Sequence, residues 1–554
     1  MNQWQISRRD LLRGGLAAGA VAATAGLGLA GCSSGSSGTT SAQNAENFKV
    51  ELPSYVPYTG ASPDLPATAD GVLAGFFSYP ANPPSIVPQP PTSNPTSVLC
   101  HTNAQLPPAL DRNSYWQELN RRLGAAISFT MVPMADYKKK LATSLASGDL
   151  PDLVQVRPGD IPRAPQAFQA EFQDLTPFLS GSAVAEYPGL ANIPPAAWTS
   201  SVFNGGIYGI PIPLPQATNL LFVREDLLPS GVDPATAVGS CEDFLALCRA
   251  VTAAKQNRYA IGNVRGAFLF MREMLGVPNY WRQEGGKFIS AYDAPETEQA
   301  LDVVVRMWKE GLFHPDTIAA TAARPGTGAL WQGTGVVVFD SGNPASWPSY
   351  YAKYASTAAN FKIGGIVPPK FNGGGPARKY LGSGIYSITA FKKTSPERVK
   401  ELLRLTNWMA SPFGTAEYLF REYGLEGNGY TRTPSNDLTR TDAGFNETRL
   451  PTVYVGGAAP VAYIPGMPEA TRAYHSYQQK VMPTGEPNAT LGLFSETNDA
   501  VNAQLEAKMT DAMNQIAQGR QPISAWKEAV DAWRKGGGDK IRAEYEAAYA
   551  ERER

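Results

Sequence analysis

The chain of 554 residues carries few of the side-chain patterns on which hydrolytic or metal-dependent catalysis is built. It has three histidines, at positions 101, 314 and 475, with neither an HExxH segment nor paired cysteines at metal-ligand spacing. Beyond its first 35 residues it contains no GxSxG, GxGxxG or Walker pattern. Glycoside hydrolysis stays open, because it needs only two carboxylates about 5 to 10 Å apart in a cleft. The sequence thus predicts no metal and no cofactor, and leaves a glycosidase as the enzymatic alternative.

The amino terminus has the layout of an export signal. Arg8 and Arg9 precede an uncharged stretch over residues 14–30, which is typical of a signal peptide with a twin-arginine address. That stretch is rich in Ala and Gly and shorter than the roughly 20 residues of a permanent membrane span. Residues 29–32, LAGC, resemble the lipobox of bacterial lipoproteins at all four positions. We therefore predict that residues 1–31 are a signal peptide and that Cys32 is acylated and anchors the chain at the outer face of the cell membrane; the alternative is an ordinary signal peptide with an incidental cysteine.

Composition restricts the partners of the remaining chain. The formal net charge is −1, 43% of the residues are apolar, and no long run of like charge occurs, which argues against nucleic acid or a polybasic membrane patch. Cys100, Cys241 and Cys248 remain after Cys32, and an odd number of thiols predicts buried small apolar residues rather than a disulfide framework. The polar run after Cys32 has no apolar period and predicts a flexible linker over residues 32–70.

From residue 96 onward short apolar strands alternate with amphipathic helices. Strands are predicted at residues 96–102 (TSVLCHT), 127–132 (ISFTMV) and 152–156 (DLVQV), with a helix between each pair. Such βαβ units imply a parallel sheet, and ligands of open parallel sheets bind beyond the carboxyl ends of the strands. The loops HTNAQLPP, at 101–108, and RPGDIP, at 157–162, are therefore the expected site of function.

Two segments rich in Pro and Gly interrupt this alternation. Residues 204–231 hold three prolines between positions 211 and 215, and residues 361–391 combine Pro and Gly with a β-rich stretch. We predict that both segments cross from one lobe to the other. We predict lobe 1 at residues 71–211 and 367–410, lobe 2 at 212–366, and a C-terminal helical segment, 411–554, packing mainly on lobe 2.

Several of these segments match one family in order and spacing. They are YKKKLATSLASGDLPDLVQV (137–156), FNGGIYGIPIP (203–213), LLFVREDLL (220–228), KEGLFHPD (309–316), KTSPERVKELLRLTNWMAS (393–411), YGLEGNGY (423–430) and the tail at 517–549. Together they resemble family 1 extracellular solute-binding proteins of ABC importers, and the tail is similar to that of the larger lipoprotein branch.

The resemblance implies an α/β fold of two lobes, the type II clam-shell of periplasmic binding proteins, with hinge crossings and a helical C-terminal tail. It also implies a lipid-tethered monomer that captures a solute, in related sequences mostly a sugar or oligosaccharide, and presents it to ABC permease subunits without hydrolysing it. A surface scaffold or adhesin is the other non-enzymatic alternative, and it would have no closing cleft.

A sugar site needs flat apolar faces for the rings and planar polar groups for the hydroxyls. Trp347, which follows a strand, is the predicted stacking residue by its match to the family. Phe268, Phe270 and Trp281, with Arg265 near them, are candidates for the opposite wall. The predicted hydroxyl contacts and cleft-closing residues are Asn103, Gln105, Asp160, Gln216, Asn219, Asn343, Ser383 and Tyr386. The alternative for each is a structural role, in the core for the aromatic residues and as a turn cap for the polar ones.

Overall fold

Two β-sheets, linked by two crossing segments, organise the polypeptide. The computed structural model describes residues 35–103, 105–217, 220–319, 327–344, 346–356, 358, 360–434 and 436–553. The strands are β1 (Gly75–Phe76), β2 (Thr96–Thr102), β3 (Ile127–Pro133), β4 (Leu153–Val156), β5 (Val202–Phe203), β6 (Gly206–Ile207), β7 (Ile210–Pro213), β8 (Leu220–Arg224), β9 (Tyr259–Ile261), β10 (Trp281–Glu284), β11 (Lys287–Ser290), β12 (Val337–Gly342), β13 (Ile363–Ile366), β14 (Lys379–Leu381), β15 (Ile385–Phe391), β16 (Tyr430–Arg432), β17 (Leu438–Arg440), β18 (Ala462–Tyr463) and β19 (Gly485–Pro487). The helices are α1 (Gly35–Phe48), α2 (Ser114–Leu123), α3 (Met134–Ser147), α4 (Ala164–Glu171), α5 (Thr176–Leu179), α6 (Pro188–Ala191), α7 (Pro195–Trp198), α8 (Pro234–Ala237), α9 (Cys241–Val251), α10 (Val264–Met274), α11 (Pro295–Lys309), α12 (Thr327–Thr334), α13 (Ser346–Tyr354), α14 (Pro396–Met409), α15 (Ala416–Tyr423), α16 (Asp442–Glu447), α17 (Pro468–Val481), α18 (Glu496–Ala517), α19 (Ala525–Trp533) and α20 (Asp539–Arg552).

The sheet of lobe 1 has five strands in the order β3-β2-β4-β15-β7. Strand β2 pairs in parallel with β3 and with β4, as the βαβ pattern predicts, whereas β15 is antiparallel to both of its neighbours. Helix α2 shows how the local sequence fixes these elements: the Asn113 side chain accepts a hydrogen bond from Trp116 N, and Gly124 ends the helix at φ 85°. Because β15 is antiparallel to both β4 and β7, the carboxyl ends of β2, β4 and β7 lie at one edge of the sheet, from which β7 continues to β8 of lobe 2.

The sheet of lobe 2 has four strands in the order β13-β8-β12-β9. Its central pair, β8 and β12, is antiparallel, while β9 runs parallel to β12. Helices α9, α10 and α11 pack on it through buried apolar residues that include Phe244, Met271 and Leu301. Cys241 and Cys248 lie in this core and Cys100 lies in the core of lobe 1, buried as predicted, and all three are free thiols.

The chain passes between the two main sheets at two places. The first passage runs from β7 to β8, and the second leads from β14 to β15. Pro211 and Pro213 are tolerated in β7 because it is the edge strand of the five-stranded sheet, so a missing backbone N–H interrupts no ladder on its outer side. The fold is thus the predicted two-lobed α/β architecture.

The segment predicted to be a flexible linker is ordered from Gly35 onward, so this prediction is wrong over most of its length. Residues 35–48 form α1, which packs against α20. The chain then follows lobe 1, where Ser54 N donates to Gly181 O at 2.9 Å and Val56 N to Ala191 O at 2.8 Å. The prediction of a flexible linker rested on the polar composition of this segment. It failed because α1 is held by side-chain hydrogen bonds rather than by an apolar face.

The C-terminal segment divides between the lobes, which corrects its predicted placement mainly on lobe 2. Phe420 of α15, together with Leu450 and Val455, belongs to the core of lobe 1. Helices α18, α19 and α20 complete the core of lobe 2 through residues such as Met509 and Trp526. Within the described part of the chain, no helix is long and apolar enough to cross a membrane.

Candidate functional site

A cavity of about 470 Å³ opens between the two lobes at the carboxyl end of β4; we call it the interlobe cavity. Lobe 1 contributes residues 156–159 and 161, the start of α4, and Ser383 and Ile385 from the second crossing. Lobe 2 contributes Arg272, residues 280–281 and residues 290–292. The wall is completed by the C-terminal segment, from residues 488 and 490–493 and from one face of α18. A solute bound here touches both lobes, so its binding is coupled to their relative position.

The loop RPGDIP reaches this cavity as the position of β4 in the sheet predicts. Arg157 and Asp160 form a two-point ion pair, with Nε to Oδ2 at 3.0 Å and Nη2 to Oδ1 at 2.9 Å, and Arg157 N also donates to Oδ2 at 3.0 Å. Asp160 is buried, and the carboxylate predicted to hold a hydroxyl instead holds a guanidinium. Arg157 is consequently the charged side chain that lobe 1 places at the cavity, and Asp160 positions it.

Tyr280 is an aromatic side chain that the sequence analysis missed. It is 47% exposed, lines the cavity and has a left-handed backbone conformation, φ 59°, which is costly for a bulky residue. The conformation is maintained by Asn279, whose amide donates to Leu381 O and Glu486 O, both at 2.8 Å. Ala291 N in addition donates to Tyr280 O at 2.8 Å. The sequence around Tyr280 predicts a turn, because Asn279 and Tyr280 follow Gly276 and Pro278. It does not predict whether the Tyr280 ring is exposed to the cavity or buried in a core.

Helix α18 presents a polar face to the cavity, formed by Asn498, Asp499, Asn502 and Glu506. Asp499 accepts a hydrogen bond from Ala164 N of lobe 1 at 2.9 Å, and Glu506 accepts one from Tyr292 Oη at 2.7 Å. Burial raises the pKa of Asp499, and the backbone N–H donors of α4 only partly oppose that rise. The sequence predicted this helix from its apolar face and gave no reason to inspect the opposite one.

Two further predicted residues line the cavity. Ser383 borders it from the second crossing, and Trp281 borders it from lobe 2. Trp281 is only 7% exposed, because its ring packs against Trp533 and Tyr545 at centroid distances of 5.9 and 5.7 Å. It therefore offers no open ring face to the cavity.

The prediction that Trp347 stacks on a ligand is wrong. The side chain is 1% exposed and lies against Tyr474 at 5.2 Å and Phe222 at 5.7 Å, within a core. The chain turns after β12 directly into α13, and the apolar face of that helix takes Trp347 inward. Phe268 and Phe270 are likewise core residues, packed on Trp526 and Phe244, and Arg265 is exposed on α10 away from the cavity.

The remaining predicted residues are dispersed. Gln105 accepts a hydrogen bond from Arg449 Nη1 at 3.0 Å on the surface of lobe 1, and Asn103 and Asn343 are exposed outside the interlobe cavity. Gln216 lines a different cavity, next to the N-terminal segment. Asn219 and Cys32 lie outside the described residues.

Tyr386 takes part in an aromatic group at the strand ends of lobe 1. Its hydroxyl is 2.8 Å from His101 Nε2, and its ring stacks on Tyr454 at 5.5 Å. This fixes the second crossing to the end of β2 and leaves Tyr386 as a packing residue beside the cavity.

A second cavity, of about 780 Å³, lies between lobe 2 residues 348–356 and residues 457–467. Its charged side chains pair with one another or with backbone: Arg421 Nη2 lies 2.9 Å from a Glu422 carboxylate oxygen, and Arg440 donates to Glu422 O and covers the Tyr423 ring. It does not include the loop after β4 at the strand ends of lobe 1.

Two sheets joined by paired crossings, with a cavity bounded by both lobes, define a bilobal solute-binding protein. The chain belongs to the bacterial extracellular solute-binding protein family, whose model matches residues 111–416, more than half of the sequence.

Relatives and solved structures agree with this family. Lipoprotein LipO of Bacillus subtilis (strain 168) is 23% identical over 462 residues, covering 79% of this chain and 89% of LipO. The polygalacturonan/rhamnogalacturonan-binding protein YtcQ of the same organism is 21% identical over 453 residues, covering 78% and 87%. The N-glycan transport solute-binding protein NgtS of Streptococcus pneumoniae shares the fold with a TM-score of 0.61 at 15% identity, over 83% of this chain and 98% of NgtS. The alginate-binding protein AlgQ2 has a TM-score of 0.59 at 15% identity, with coverages of 83% and 98%.

Proposed function

We propose that the protein captures an oligosaccharide in the interlobe cavity and delivers it, as a lipid-anchored monomer on the extracellular face of the membrane, to the permease of an ABC importer. Membership of the solute-binding family supports the transport role, and the lipobox at residues 29–32 together with the similarity to LipO supports the anchor. The names of YtcQ and of NgtS, which describe a polysaccharide and a glycan, support the ligand class.

The observation that carries the proposal is the composition of the interlobe cavity. Tyr280 offers an exposed ring for the C–H face of a sugar, and the amides of Asn498 and Asn502 suit hydroxyl groups. These groups belong to lobe 2 and to the C-terminal segment, whereas Arg157 and Ser383 face them from lobe 1. A sugar that contacts both walls stabilises the closed arrangement through contacts that the open one lacks.

Binding occurs without hydrolysis. The carboxylates of Asp499 and Glu506 are seven positions apart on α18, which is about 10 Å along the helix axis. Both groups already accept hydrogen bonds, from Ala164 N and from Tyr292 Oη. The cavity's carboxylates are therefore better suited to positioning than to acid–base chemistry.

The test is a thermal-shift screen with neutral and acidic oligosaccharides, followed by calorimetric titration of each hit. A ligand that binds only the native chain raises its melting temperature. Tyr280→Ala should weaken binding about tenfold, which is the loss of roughly 1 to 1.5 kcal/mol of ring contact, while the melting temperature without ligand stays close to that of the native sequence.

Tyr55→Ala is the matched control, because Tyr55 is 48% exposed and lies outside the interlobe cavity. Equal affinity of the Tyr280 and Tyr55 variants would remove the cavity from the proposal. A saccharide recovered in cleaved form would establish the glycosidase alternative. If no saccharide of the panel raised the melting temperature, that result would argue against carbohydrate binding.

A further inference from the structure

Arg272 is a buried cation in the wall of the interlobe cavity. Helix α10 carries it inward, and the residue is 6% exposed. Nη2 donates to Pro278 O at 3.2 Å, while Nε has no hydrogen-bond partner among the described residues. The guanidinium also faces two rings, Phe268 at 5.6 Å and Tyr380 at 5.9 Å. These contacts hold the group in place without a direct ion pair.

The adjacent carboxylate, Glu273, is shared between two cations: burial raises its pKa, the positive charges of Lys379 and Arg272 oppose that rise, and its Oε2 has no hydrogen-bond partner among the described residues. Glu273 lies 2.6 Å from Lys379 Nζ and accepts from Tyr380 N at 3.1 Å. Glu506 accepts from Tyr292 Oη at 2.7 Å. Among the described residues, no carboxylate lies within ion-pair distance of Arg272. An arginine buried without a direct ion pair is unfavourable, and such a residue in a cavity wall is a binding point for an anionic ligand group.

Arg157 supplies a second guanidinium from the opposite lobe. Its Nε and Nη2 are used by Asp160, and its Nη1 makes no hydrogen bond among the described residues. Asp160 neutralises the charge of Arg157, so this residue offers a hydrogen-bond donor, whereas Arg272 offers a charge without a direct ion pair and an Nε without a hydrogen-bond partner among the described residues. The planar fork of an arginine matches the geometry of a carboxylate.

We propose that the ligand is an acidic oligosaccharide, one containing a uronic acid, and that Arg272 binds its carboxylate. The inference rests on the proposed carbohydrate-binding function and names the ligand class of the same cavity. Sugar hydroxyls meet the amides of α18 and the ring meets Tyr280, so the carboxylate of the sugar supplies the direct ion-pair partner that Arg272 lacks. No bond forms or breaks; recognition is a charge-assisted hydrogen bond.

The experiment compares three trisaccharides by calorimetric titration of the full chain: trigalacturonate, its methyl ester and galactotriose. The native sequence should bind trigalacturonate about 10- to 100-fold more tightly than the methyl ester, which has the same rings without the charge. This comparison needs no variant. Affinity for trigalacturonate should also fall more steeply with salt than affinity for the two neutral sugars.

Arg272→Gln should remove that preference, lowering affinity for trigalacturonate about 10- to 100-fold and changing affinity for galactotriose less than about threefold. Arg249→Gln is the control, because Arg249 pairs with Glu310 on the surface of lobe 2, and it should leave both affinities unchanged. If the Arg272 variant does not fold, the comparison of acid and ester still decides the question.

Equal affinity for acid and ester, or binding of neutral sugars only, would overturn the carboxylate inference and leave the proposed function intact. Unchanged trigalacturonate affinity in a folded Arg272→Gln would also overturn it. If none of the three trisaccharides bound, and no oligosaccharide of the thermal-shift panel raised the melting temperature, the proposed carbohydrate function itself would be rejected.

Discussion

At the scale of single residues, Glu401 shows how one buried carboxylate organises lobe 1. It accepts hydrogen bonds from Thr92 Oγ1 at 2.7 Å, Ser93 N at 2.6 Å and Asn94 N at 3.0 Å, and it pairs with Arg398 at 2.6 Å. Burial alone would raise the pKa of Glu401, but these donors outweigh it and hold the pKa well below the usual range of a glutamate. The segment entering β2 is thereby fixed to α14.

The ionised form of Glu401 therefore stabilises the native state. Because its pKa is lower in the folded chain, this stability is present above the ordinary glutamate pKa of about 4.3 and is lost as the pH falls from there towards the folded value. We expect Glu401→Gln to lower the free energy of unfolding by about 2 kcal/mol at pH 7 and to weaken its acid dependence. Urea unfolding between pH 3 and pH 7 measures both effects.

Glu397→Gln is the control for that series, since Glu397 is exposed in the first turn of the same helix. Its stability should remain within about 0.5 kcal/mol of the native sequence. Parallel pH profiles of the Glu401 variant and the native chain would show that this carboxylate does not carry the acid sensitivity.

At the scale of elements, α1 acts as a strap across the two halves of the molecule. Asn44 exchanges two hydrogen bonds with the backbone of Phe494 in the C-terminal segment, at 2.8 and 2.9 Å. On the lobe 1 side, Gln43 donates to Asn204 Oδ1 at 2.7 Å, and Asn47 Oδ1 accepts from Gly205 N at 2.9 Å. The helix thus links the β5–β6 hairpin to the polypeptide beside α18.

Asn44→Ala should release the strap without unfolding either lobe. Asn44 is fully buried, so the change leaves the backbone groups of Phe494 without these partners and costs about 2 kcal/mol of docking free energy. Amide hydrogen exchange across residues 35–48 should accelerate about 30-fold while exchange in β2 and β8 stays constant. Glu46→Ala, on an exposed part of the same helix, should leave the exchange of α1 near its native rate, and equal exchange in both variants would contradict the strap.

At the scale of the whole molecule, the proposed anchor and the lobes are joined by a short connection. Cys32 precedes the first residue of α1 by only three positions, and α1 is docked on the body. An anchored protein would therefore be held close to the membrane surface, with α1 and α20 nearest to it, instead of moving at the end of a long tether.

Cys32→Ser should abolish acylation and move the protein from the membrane fraction to the soluble extracellular fraction, with its ligand affinity unchanged. Cell fractionation and mass spectrometry of the amino-terminal peptide measure the two outcomes. Cys100→Ser serves as the comparison, because Cys100 is a buried core thiol and its replacement should not alter the fractionation. Retention of the Cys32 variant in the membrane fraction would show that another feature holds the chain there.

The sequence by itself determined the local structure and the class of the protein. The strands β2, β3 and β4, the helices between them and the two proline-rich crossings follow from patterns of a few neighbouring residues, which act through local backbone preferences. The family followed from the order of such segments along the chain. Of the predicted site, part of the loop RPGDIP lines the interlobe cavity, together with Trp281 and Ser383, whereas Asp160 of that loop does not.

Only the tertiary structure decided which side chains face a ligand. Trp347 and Tyr280 are both aromatic residues in or next to loops, yet Trp347 is 1% exposed and Tyr280 is 47% exposed. The difference comes from distant partners: Tyr474 and Phe222 enclose the tryptophan, and Asn279 holds the turn that presents the tyrosine. The exposure of a side chain depends on contacts between segments that are hundreds of residues apart in the sequence. A local sequence pattern does not predict those contacts.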